Sequence, residues 1–590
     1  MYLYNIKLWN FRKFGTEVDF DIKKPNLDLN FRKGLNVLIG ENDTGKSAII
    51  DAIKLLLKTH SYEWLRVIDD DFYNDTNRFR IELTFEDLAD NEAKNFTEWL
   101  GWSGQGENAK PYLRLLYDVT RKNGKILPSD IHAGVDEEGY PLSAEAREYL
   151  KVTYLKPLRD AKVEFITKKN SRISQILQGH EAFKEQEEKH HLVALFNKFN
   201  RSIEKYFEAK QPNIDGTDGF EDIADKKGKE LKDKIDEFIH SLYDKNKDSL
   251  FSVSEGKLKN ILEKLELSIK DEINPGLGTL NRLFIASELL HLGKTNWDGV
   301  RLGLIEELEA HLHPQAQMQI IESLQERKDI QLILTTHSPN LASKVKLENL
   351  IICNNNNAFP MGKEYTKLDK TDYSYLEIFL DTTKSNLFFA KGVIIVEGWA
   401  EEILLPALSK RAGFNLTEKG VSIVNVASTA FLRYAKIFQR LTNPEMNIPV
   451  AIVTDLDIKP DDEATVNMED GRTKKELKTE KIKAKYEGSP VKTFVSPQWT
   501  LEYCLSKSSS LSNRFQKIVK GIHTKTDWTD FDTSLTDKLS RKMLNKTEVA
   551  YQLAQILEKD SNKSIPEIEI SKDDTAIKYL IEAIEYACGN

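Results

Sequence analysis

The segment that most constrains the fold of this chain is an eight-residue loop, GENDTGKS, at residues 40–47. It fits the pattern G-x-x-x-x-G-K-[ST], follows the apolar run LNVLI and precedes the helical sequence AIIDAIKLLLK. A strand, such a loop and a helix in that order form a P-loop, whose backbone N–H groups and helix N-terminus surround phosphates. The alternative is a chance glycine turn before a helix, which leaves both flanks unexplained. The pattern therefore predicts a nucleotide-binding α/β domain.

The residues of this loop have separate predicted roles in binding ATP with Mg²⁺. Lys46 is expected to reach the β- and γ-phosphates, and Ser47 to ligate Mg²⁺. The remaining loop residues predicted to contact the nucleotide are Gly40, Asn42, Asp43, Thr44 and Gly45.

A later stretch, GLIEELEAHLHPQ at residues 303–315, combines carboxylates and imidazoles that suit a metal site, an acid/base pair or a charged helix start. Glu306 and Glu307 follow an apolar strand-like run. In a P-loop ATPase this place holds an acid that coordinates Mg²⁺ and a second acid that activates water. Glu306 is predicted to take the first role and Glu307 the second. His337 follows another apolar run and is predicted to contact the γ-phosphate.

Composition narrows the remaining possibilities. At 590 residues the chain is too long for one core. No run approaches the ~18 apolar residues that a membrane span needs. The N-terminus lacks a signal-peptide cleavage pattern, and three distant cysteines form neither a disulfide framework nor a zinc site. His311 and His313 are two positions apart, which favours packing over zinc binding. These features predict a cytoplasmic protein without a membrane segment.

Changes in patterning along the chain predict four segments. Residues 1–161 and 272–384 mix strand-like and helical runs, whereas residues 162–271 are charged, amphipathic and helical by period. Residues 385–590 have the pattern of a second α/β domain with a helical tail. We expect one α/β domain that is interrupted by a helical insertion and followed by another α/β domain.

A second group of acids occurs in this last segment. The apolar run before Glu397 leads into a glycine turn and a helix, and another apolar run ends shortly before Asp455 and Asp457. The carboxyl ends of parallel strands meet at one edge of a sheet, so these three acids could converge there. Carboxylates that are close together repel each other, and a divalent cation neutralises them. Surface acids at strand ends are the alternative.

These motifs resemble two known families. The P-loop with its later acids is similar to the ATP-binding-cassette heads of the structural-maintenance, recombination-mediator and repair branch. The glutamate and Asp-x-Asp are similar to the Toprim domain. Together they resemble the OLD (overcoming lysogenisation defect) nucleases, which include the nuclease subunit of Gabija-type antiphage systems. The resemblance implies an α/β fold: an ABC/SMC-like ATPase head with a helical dimerisation insertion, then a Toprim domain with a helical C-terminal part.

The resemblance also implies roles for the acids in the last segment. Phosphodiester hydrolysis with two Mg²⁺ or Mn²⁺ ions would use Glu397, Asp455 and Asp457 as ligands of the main ion. Glu401, one helical turn after Glu397, is a candidate ligand of the second ion. Glu502 is another candidate, with a helix-surface acid as the open alternative. Lys546, in the family-like segment NKTEVA, would offset negative charge on the phosphate.

Three stretches qualify this picture. The loop NPGLGTLN at residues 274–281 is the candidate signature loop. It has Leu277 where a phosphate-binding serine is usual, which disfavours efficient hydrolysis. ATP is therefore expected to gate or stabilise the protein more than its hydrolysis drives the activity. Asn425 and the following residues, VAST, depart from the family's glycine between the acidic motifs. Residues 472–485 contain seven Lys or Arg against two Glu and are either a solvated helix face or an arm that contacts a nucleic-acid backbone.

The sequence-based hypothesis is an ATP-regulated, metal-dependent DNA endonuclease of bacterial antiphage defence, which forms a homodimer or homotetramer. The family implies a possible partner, either a helicase-like protein or a retron reverse transcriptase with its RNA–DNA. The alternative is an ATP-gated DNA clamp or sensor of the recombination-repair type without nuclease activity. Topoisomerase activity would need a nucleophilic tyrosine in an additional cleavage domain, and the predicted segments leave no place for one.

Overall fold

The protein is described here by a computed structural model. It covers residues 1–590 except 61–64, 158–171, 179–180, 184–188, 214–218, 243–245, 254, 271–275, 294–297, 428–429, 466–471, 562–567 and 590. Within this part of the chain, no helix has the length and apolarity that crossing a membrane requires.

The P-loop belongs to a mostly parallel sheet in the first half of the chain. In spatial order its strands are Thr153–Leu155, Leu302–Ile305, Gln331–Thr336, Leu35–Ile39, Leu350–Asn354 and Asn357–Pro360. All pairings are parallel except the last. Every residue of Leu35–Ile39 is buried, as expected for an apolar strand that is covered on both faces. The sheet therefore brings the P-loop, Glu306 and His337 to one edge.

An antiparallel sheet covers the P-loop helix, Lys46–Leu57. Its strands are Tyr2–Trp9, Leu27–Asn30, Arg78–Glu86, Leu100–Ser103, Lys110–Lys122, Lys125–Ile126, Ile131–Ala133 and Tyr140–Pro141. Phe79, Ile81, Leu83 and Phe85 alternate along one strand and join Ile49 and Ile53 of the helix in one buried cluster. The apolar side chains on every second residue of this strand thus pack the sheet against the P-loop helix.

The third sheet, in the last segment, is wholly parallel. Its strands in spatial order are Val421–Asn425, Gly392–Val396, Val450–Thr454 and Val491–Val495. The chain starts at Gly392–Val396, adds the next strand on one side and then crosses to the other side. Strand order therefore reverses between Gly392–Val396 and Val450–Thr454, and ligands of open α/β sheets bind at the carboxyl ends of such strands.

Helices connect and cover these sheets. In the first half they are Lys46–Leu57, Asp90–Ala93, Ala144–Glu148, Arg172–Gln178, His191–Tyr206, Lys227–Leu242, Leu258–Leu262, Leu277–Leu292, Pro314–Glu326 and Pro339–Ala342. In the second half they are Lys370–Phe379, Trp399–Arg411, Phe431–Lys436, Pro460–Glu463, Lys474–Tyr486, Leu501–Lys507, Ser512–Ile522, Phe531–Ser540, Lys546–Ser561 and Lys578–Ala587. Short 3-10 turns lie at Asp69–Asp71, Lys94–Phe96, Gly106–Asn108, Glu181–Phe183, Leu347–Asn349 and Lys384–Phe389.

The described part of residues 162–271 is built mainly from the helices His191–Tyr206 and Lys227–Leu242. A two-stranded hairpin, Lys210–Pro212 with Phe220–Asp222, lies between them. Val193, Leu258, Ile261 and Leu262 form a small separate cluster of buried residues. This segment therefore has its own small core between the two halves of the ATPase sequence.

The two α/β sheets share one hydrophobic core. Val37 and Ile352 of the P-loop sheet and Val393 and Ile395 of the third sheet belong to the same buried cluster. The P-loop residue Glu41 also forms an ion pair with Lys391, directly before the strand that leads to Glu397, at 3.2 Å. The two α/β units are therefore packed against each other.

Candidate functional site

The backbone of the P-loop is shaped by two glycines. Gly40 and Gly45 have φ angles of 142° and 100°, where side chains are strained. A Cβ at Gly40 would lie 2.3 Å from the carbonyl oxygen of Cys353, and one at Gly45 would lie 2.5 Å from the Phe14 ring. These positions admit only glycine, so the sequence pattern here is a steric requirement of the loop.

Lys46 is buried inside this loop. Its Nζ lies 2.9 Å from the carbonyl oxygen of Gly40 and 3.3 Å from Oγ1 of Thr44. Burial lowers the pKa of Lys46. A cation that is held by carbonyl dipoles inside a loop of N–H groups suits an anionic ligand, and the loop therefore fits the phosphates of ATP.

Glu306 is buried beside the P-loop helix. The hydroxyl of Tyr154 donates a 2.8 Å hydrogen bond to its carboxylate. Burial raises the pKa of Glu306, while hydrogen bonds from Tyr154 and Ser47 oppose the shift. Ser47 and Glu306, predicted separately as Mg²⁺ ligands, are thus neighbours, and their oxygens suit a hard cation. The position of Tyr154 depends on strand pairing, which its local sequence does not reveal.

Glu307, His337 and Glu309 lie at the same sheet edge. Glu307 has a left-handed φ of 46°, and its N–H donates to Oγ1 of Thr335 at 3.1 Å. The N–H of His337 donates to Oε1 of Glu309 at 2.6 Å, and the other oxygen of Glu309 is buried without a partner among the described residues. Burial, followed by the charge of Lys46, lowers the pKa of His337. Glu309 was not predicted, although it follows the same strand end.

Only part of the candidate signature loop can be located, because Asn274 and Pro275 lie outside the described residues. The helix begins at Leu277, whose side chain is exposed. A Cβ at Gly278 would lie 2.8 Å from the carbonyl oxygen of His311, and Asn281 donates to the carbonyl of Ala310 at 3.1 Å. This helix start therefore packs against the segment after Glu309 in its own chain.

Glu397, Asp455 and Asp457 follow the two strands between which the order of the third sheet reverses. Oδ1 of Asp455 accepts a 2.8 Å hydrogen bond from the N–H of Leu501, and the N–H of Asp457 donates to the carbonyl of Trp499 at 2.8 Å. The segment around residue 500 thus fixes both aspartates. The parallel topology brings together residues that are about sixty positions apart in the chain.

Burial and neighbouring carboxylates raise the pKa values of three acids of this site, Glu397, Glu401 and Asp455. Burial, followed by the charge of Asp457, raises the pKa of Glu397. Burial and Glu502 raise the pKa of Glu401 to about 7. The pKa of Asp455 is raised well above its ordinary value by burial, Glu502 and Glu401. Oε2 of Glu397 is buried and has no hydrogen-bond partner within the described chain. These five acids, Glu502 included, therefore form one electrostatic cluster.

Lys546 supplies positive charge to this cluster. Its Nζ lies 2.8 Å from a carboxylate oxygen of Glu502. Burial alone would lower the pKa of Lys546, but Glu502, Asp455 and Glu401 raise it on balance. The side chain of Glu502 is only 3% exposed, which excludes the surface-acid alternative for this residue.

The chemistry of the donors fits a divalent cation. Carboxylate oxygens that repel one another, with an unpartnered buried oxygen on Glu397, favour a hard cation such as Mg²⁺ or Mn²⁺. In the conformations described, however, no group of three or more His, Cys, Asp or Glu side chains is already arranged to hold a metal ion. Binding an ion here therefore involves a change in the conformations of these side chains.

The remaining sequence features lie beside these acids. Asn425, at the predicted departure from the family pattern, donates to Glu402 at 2.8 Å, whereas Ser428 and Thr429 lie outside the described residues. The basic stretch forms the helix Lys474–Tyr486. Nζ of Lys478 donates to the carbonyl oxygen of Asp457 at 3.1 Å, which joins this helix to the acidic cluster.

The fold and the two sites define an ATPase domain followed by a Toprim domain. The AAA ATPase domain family matches residues 1–342, and the overcoming lysogenization defect protein-like TOPRIM domain matches residues 388–457. The chain therefore belongs to the AAA ATPase domain family, and its ATPase–Toprim combination confirms the predicted membership of the OLD family.

Named relatives agree with this assignment. The chain is 23% identical over 564 residues to Endonuclease GajA of Bacillus cereus strain HuB5-5, covering 79% of this chain and 78% of that protein. It is 26% identical over 423 residues to Old nuclease of Escherichia phage P2, covering 66% and 68% respectively. A solved C-terminal region of the Xanthomonas campestris pv. campestris OLD protein is 23% identical and covers 35% of this chain and 95% of its own, with a TM-score of 0.23. Endonuclease GajA and Old nuclease support a nuclease with an ATPase domain.

Proposed function

We propose that this protein is an ATP-regulated DNA endonuclease that requires Mg²⁺ or Mn²⁺ and acts in bacterial antiphage defence. The observation that carries the proposal is the convergence of five carboxylates and one lysine where the strand order of the Toprim sheet reverses. The names of the relatives, Endonuclease GajA and Old nuclease, support phosphodiester cleavage as the chemistry.

The acids have distinct roles in this proposal. Glu397, Asp455 and Asp457 hold the main ion, and Glu401 and Glu502 contribute to a second. Bound divalent ions would supply an activated water and positive charge at the leaving oxygen. Lys546 leaves Glu502 to bind the phosphate, where its ammonium offsets the charge that develops.

The ATPase half is proposed to regulate this chemistry. Lys46 holds the phosphates of ATP, Ser47 and Glu306 hold its Mg²⁺, Glu307 activates water, and His337 contacts the γ-phosphate. The shared hydrophobic core and the Glu41–Lys391 ion pair support communication, because a P-loop residue contacts the base of the strand that carries Glu397. The exposed Leu277 in the candidate signature loop favours ATP as a gate.

The proposed working form is a homodimer or homotetramer in the cytoplasm, with residues 162–271 at the interface. The helices of this segment expose large apolar side chains at Leu195, Phe199, Leu231 and Phe238. Apolar helix faces of this kind are typical of surfaces that bind another chain. A helicase-like protein or a retron reverse transcriptase with its RNA–DNA is a possible further partner.

One observation favours a second candidate function, an ATP-gated DNA clamp or sensor without nuclease activity. Lys546 already neutralises part of the cluster through its 2.8 Å contact with Glu502, and no described group of acids is arranged to hold an ion as it stands. In such a clamp the Toprim domain would bind DNA or a partner and leave it uncut.

Plasmid cleavage by Asp455→Ala distinguishes these two functions. The wild-type chain should nick or cut supercoiled plasmid with Mg²⁺ or Mn²⁺, and Asp455→Ala should not. Asp461→Ala, which removes a nearby exposed carboxylate, is the matched control and should cut normally. Wild-type protein that binds DNA but leaves it intact with either metal would favour the clamp. An Asp455→Ala variant that cuts like wild type would refute the site assignment.

A further inference from the structure

Trp399 is an exposed aromatic side chain on the helix that also carries Glu401 of the acidic cluster. It is the first residue of the helix Trp399–Arg411 and lies two positions after Glu397. Its side chain is 62% exposed and makes no ring contact or hydrogen bond among the described residues. Unlike Trp102, which is equally exposed, Trp399 follows closely after a residue of the acidic cluster, so its indole offers a flat apolar surface for stacking next to the proposed cleavage site.

A second feature, a groove lined by lysines, lies along the helix Lys474–Tyr486. One face of the helix Lys474–Tyr486 lines a cavity of about 590 Å³ with Lys474, Lys478, Lys481 and Lys485. Leu477, Ile482 and Tyr486 form its apolar floor. Lys478 belongs both to this groove and to the acidic cluster through its bond to the carbonyl of Asp457. The groove therefore borders the proposed cleavage site.

The spacing of these lysines suits the backbone of one nucleic-acid strand. Positions 474, 478, 481 and 485 recur every three or four residues and so share one helix face. Eleven residues of α-helix span about 16 Å, which is the length of several phosphates. Lysines that follow a strand over an apolar floor, with an aromatic ring for the base, are the elements of single-strand recognition.

We infer that the site takes a nucleic-acid strand with an unpaired nucleotide beside the scissile phosphate. This inference rests on the proposed function and names its substrate class: Trp399 stacks on the unpaired base, and the lysine face binds the phosphates. In an intact duplex both faces of every internal base are already stacked, so the indole gains a partner only at single strands, gaps, ends or distorted sites.

Binding measurements on the full chain in EDTA test this inference without depending on cleavage. Labelled single-stranded oligonucleotide and blunt duplex of the same length are compared. Trp399→Ala should weaken single-strand binding about tenfold and change duplex binding less than about twofold, and Trp399→Phe should retain most single-strand affinity. Trp102→Ala, which removes an equally exposed indole far along the chain, is the matched control and should change neither affinity.

The lysine face is tested separately by salt dependence. Lys481→Ala with Lys485→Ala should reduce the slope of log affinity against log salt by about 1.4 for single strands, because two phosphate contacts are lost. Lys483→Ala, on the same helix outside the groove lining, should leave the slope unchanged.

Equal losses on single strand and duplex for Trp399→Ala, or no loss, would overturn the inference. Normal thermal unfolding of each variant ensures that a loss reflects the site. The two proposals also fail differently. If the protein binds single strands through Trp399 but cuts no DNA, this inference holds and the nuclease proposal is wrong. If it cuts normally and its binding does not depend on Trp399, the nuclease proposal holds and this inference is wrong.

Discussion

The P-loop site and the Toprim site are both built at the carboxyl ends of parallel strands, but the buried groups that await a ligand, Lys46 in one and the acids in the other, have opposite charge. The P-loop places Lys46 inside a loop of backbone groups, and burial lowers its pKa. The Toprim site places carboxylates together, and burial raises the pKa of Glu401 to about 7. In both sites burial makes the charged form costly without a ligand of opposite sign.

This contrast indicates how each half of the molecule is completed. Lys46 in the first site is matched by the negative charge of the ATP phosphates, and the acids of the second site, which outnumber Lys546, are matched by divalent ions. The same sheet geometry therefore produces an anion site in one domain and a cation site in the other. Acids follow strands in both sites, but only the P-loop site adds a glycine-rich loop with a buried lysine that faces the ligand.

The largest expected effect comes from removing one charge at the Toprim site alone. Glu397→Gln should reduce plasmid cleavage by about 10³-fold or more, because a ligand with a buried unpartnered oxygen is lost. ATP binding by the same variant, measured by equilibrium dialysis, should stay unchanged. Simultaneous loss of ATP binding would show that the two sites are not chemically separate.

The corresponding substitution in the other site removes charge at the P-loop alone. Lys46→Ala should weaken ATP binding about 100-fold, because a buried cation that faces the phosphates is lost. Its Toprim site should still bind Mn²⁺ with wild-type affinity, as measured by calorimetry without nucleotide. A matching loss of Mn²⁺ affinity would contradict the claim that each site binds its own ligand independently of the other.

Lys546 tests the one positive charge within the acidic cluster. Lys546→Met should lower the cleavage kcat by about 10²-fold with little change in KM, because charge on the phosphate is no longer offset. The variant leaves Glu502 buried and unpaired, so Glu502→Gln with Lys546→Met serves as a stability control. Cleavage that is restored fully by the second substitution would assign Lys546 a purely structural role.

The smallest effect concerns stability without metal. A carboxyl whose pKa is raised on folding costs stability above its unfolded pKa of about 4.3, and the cost grows as pH rises through the folded value. Glu401, with a folded pKa of about 7, should therefore destabilise the metal-free protein at pH 8. Glu401→Gln should raise the midpoint of thermal unfolding there by a few degrees and leave it unchanged near pH 4. A lower midpoint at pH 8 would contradict the repulsion.

Much of both sites was predictable because their residues follow recognisable strand ends. Gly40 and Gly45 are fixed by steric contact, and a fixed spacing of glycine and lysine reveals such loops in a sequence. Asp455 and Asp457 follow an apolar run that could only be a buried strand. Where a residue's position depends only on the strand that it follows, the local sequence pattern was sufficient to predict that position.

The sequence was less informative where tertiary packing decides a residue's surroundings. Glu502 could be a surface acid or a ligand, and only the packing of its helix shows that it is buried. Glu309 follows two acids with predicted roles, and its contact with His337 arises from a neighbouring strand. Trp399 has no local pattern at all, because exposure is a property of the folded surface.

Calorimetric titration of Mn²⁺ without nucleotide tests the central claim most directly. Wild type, Asp455→Ala and Glu306→Gln are compared, so that each variant removes one acid from one of the two sites. We predict that wild type and Glu306→Gln bind Mn²⁺ alike and that Asp455→Ala loses this binding. Equal Mn²⁺ binding by Asp455→Ala and wild type would contradict the account.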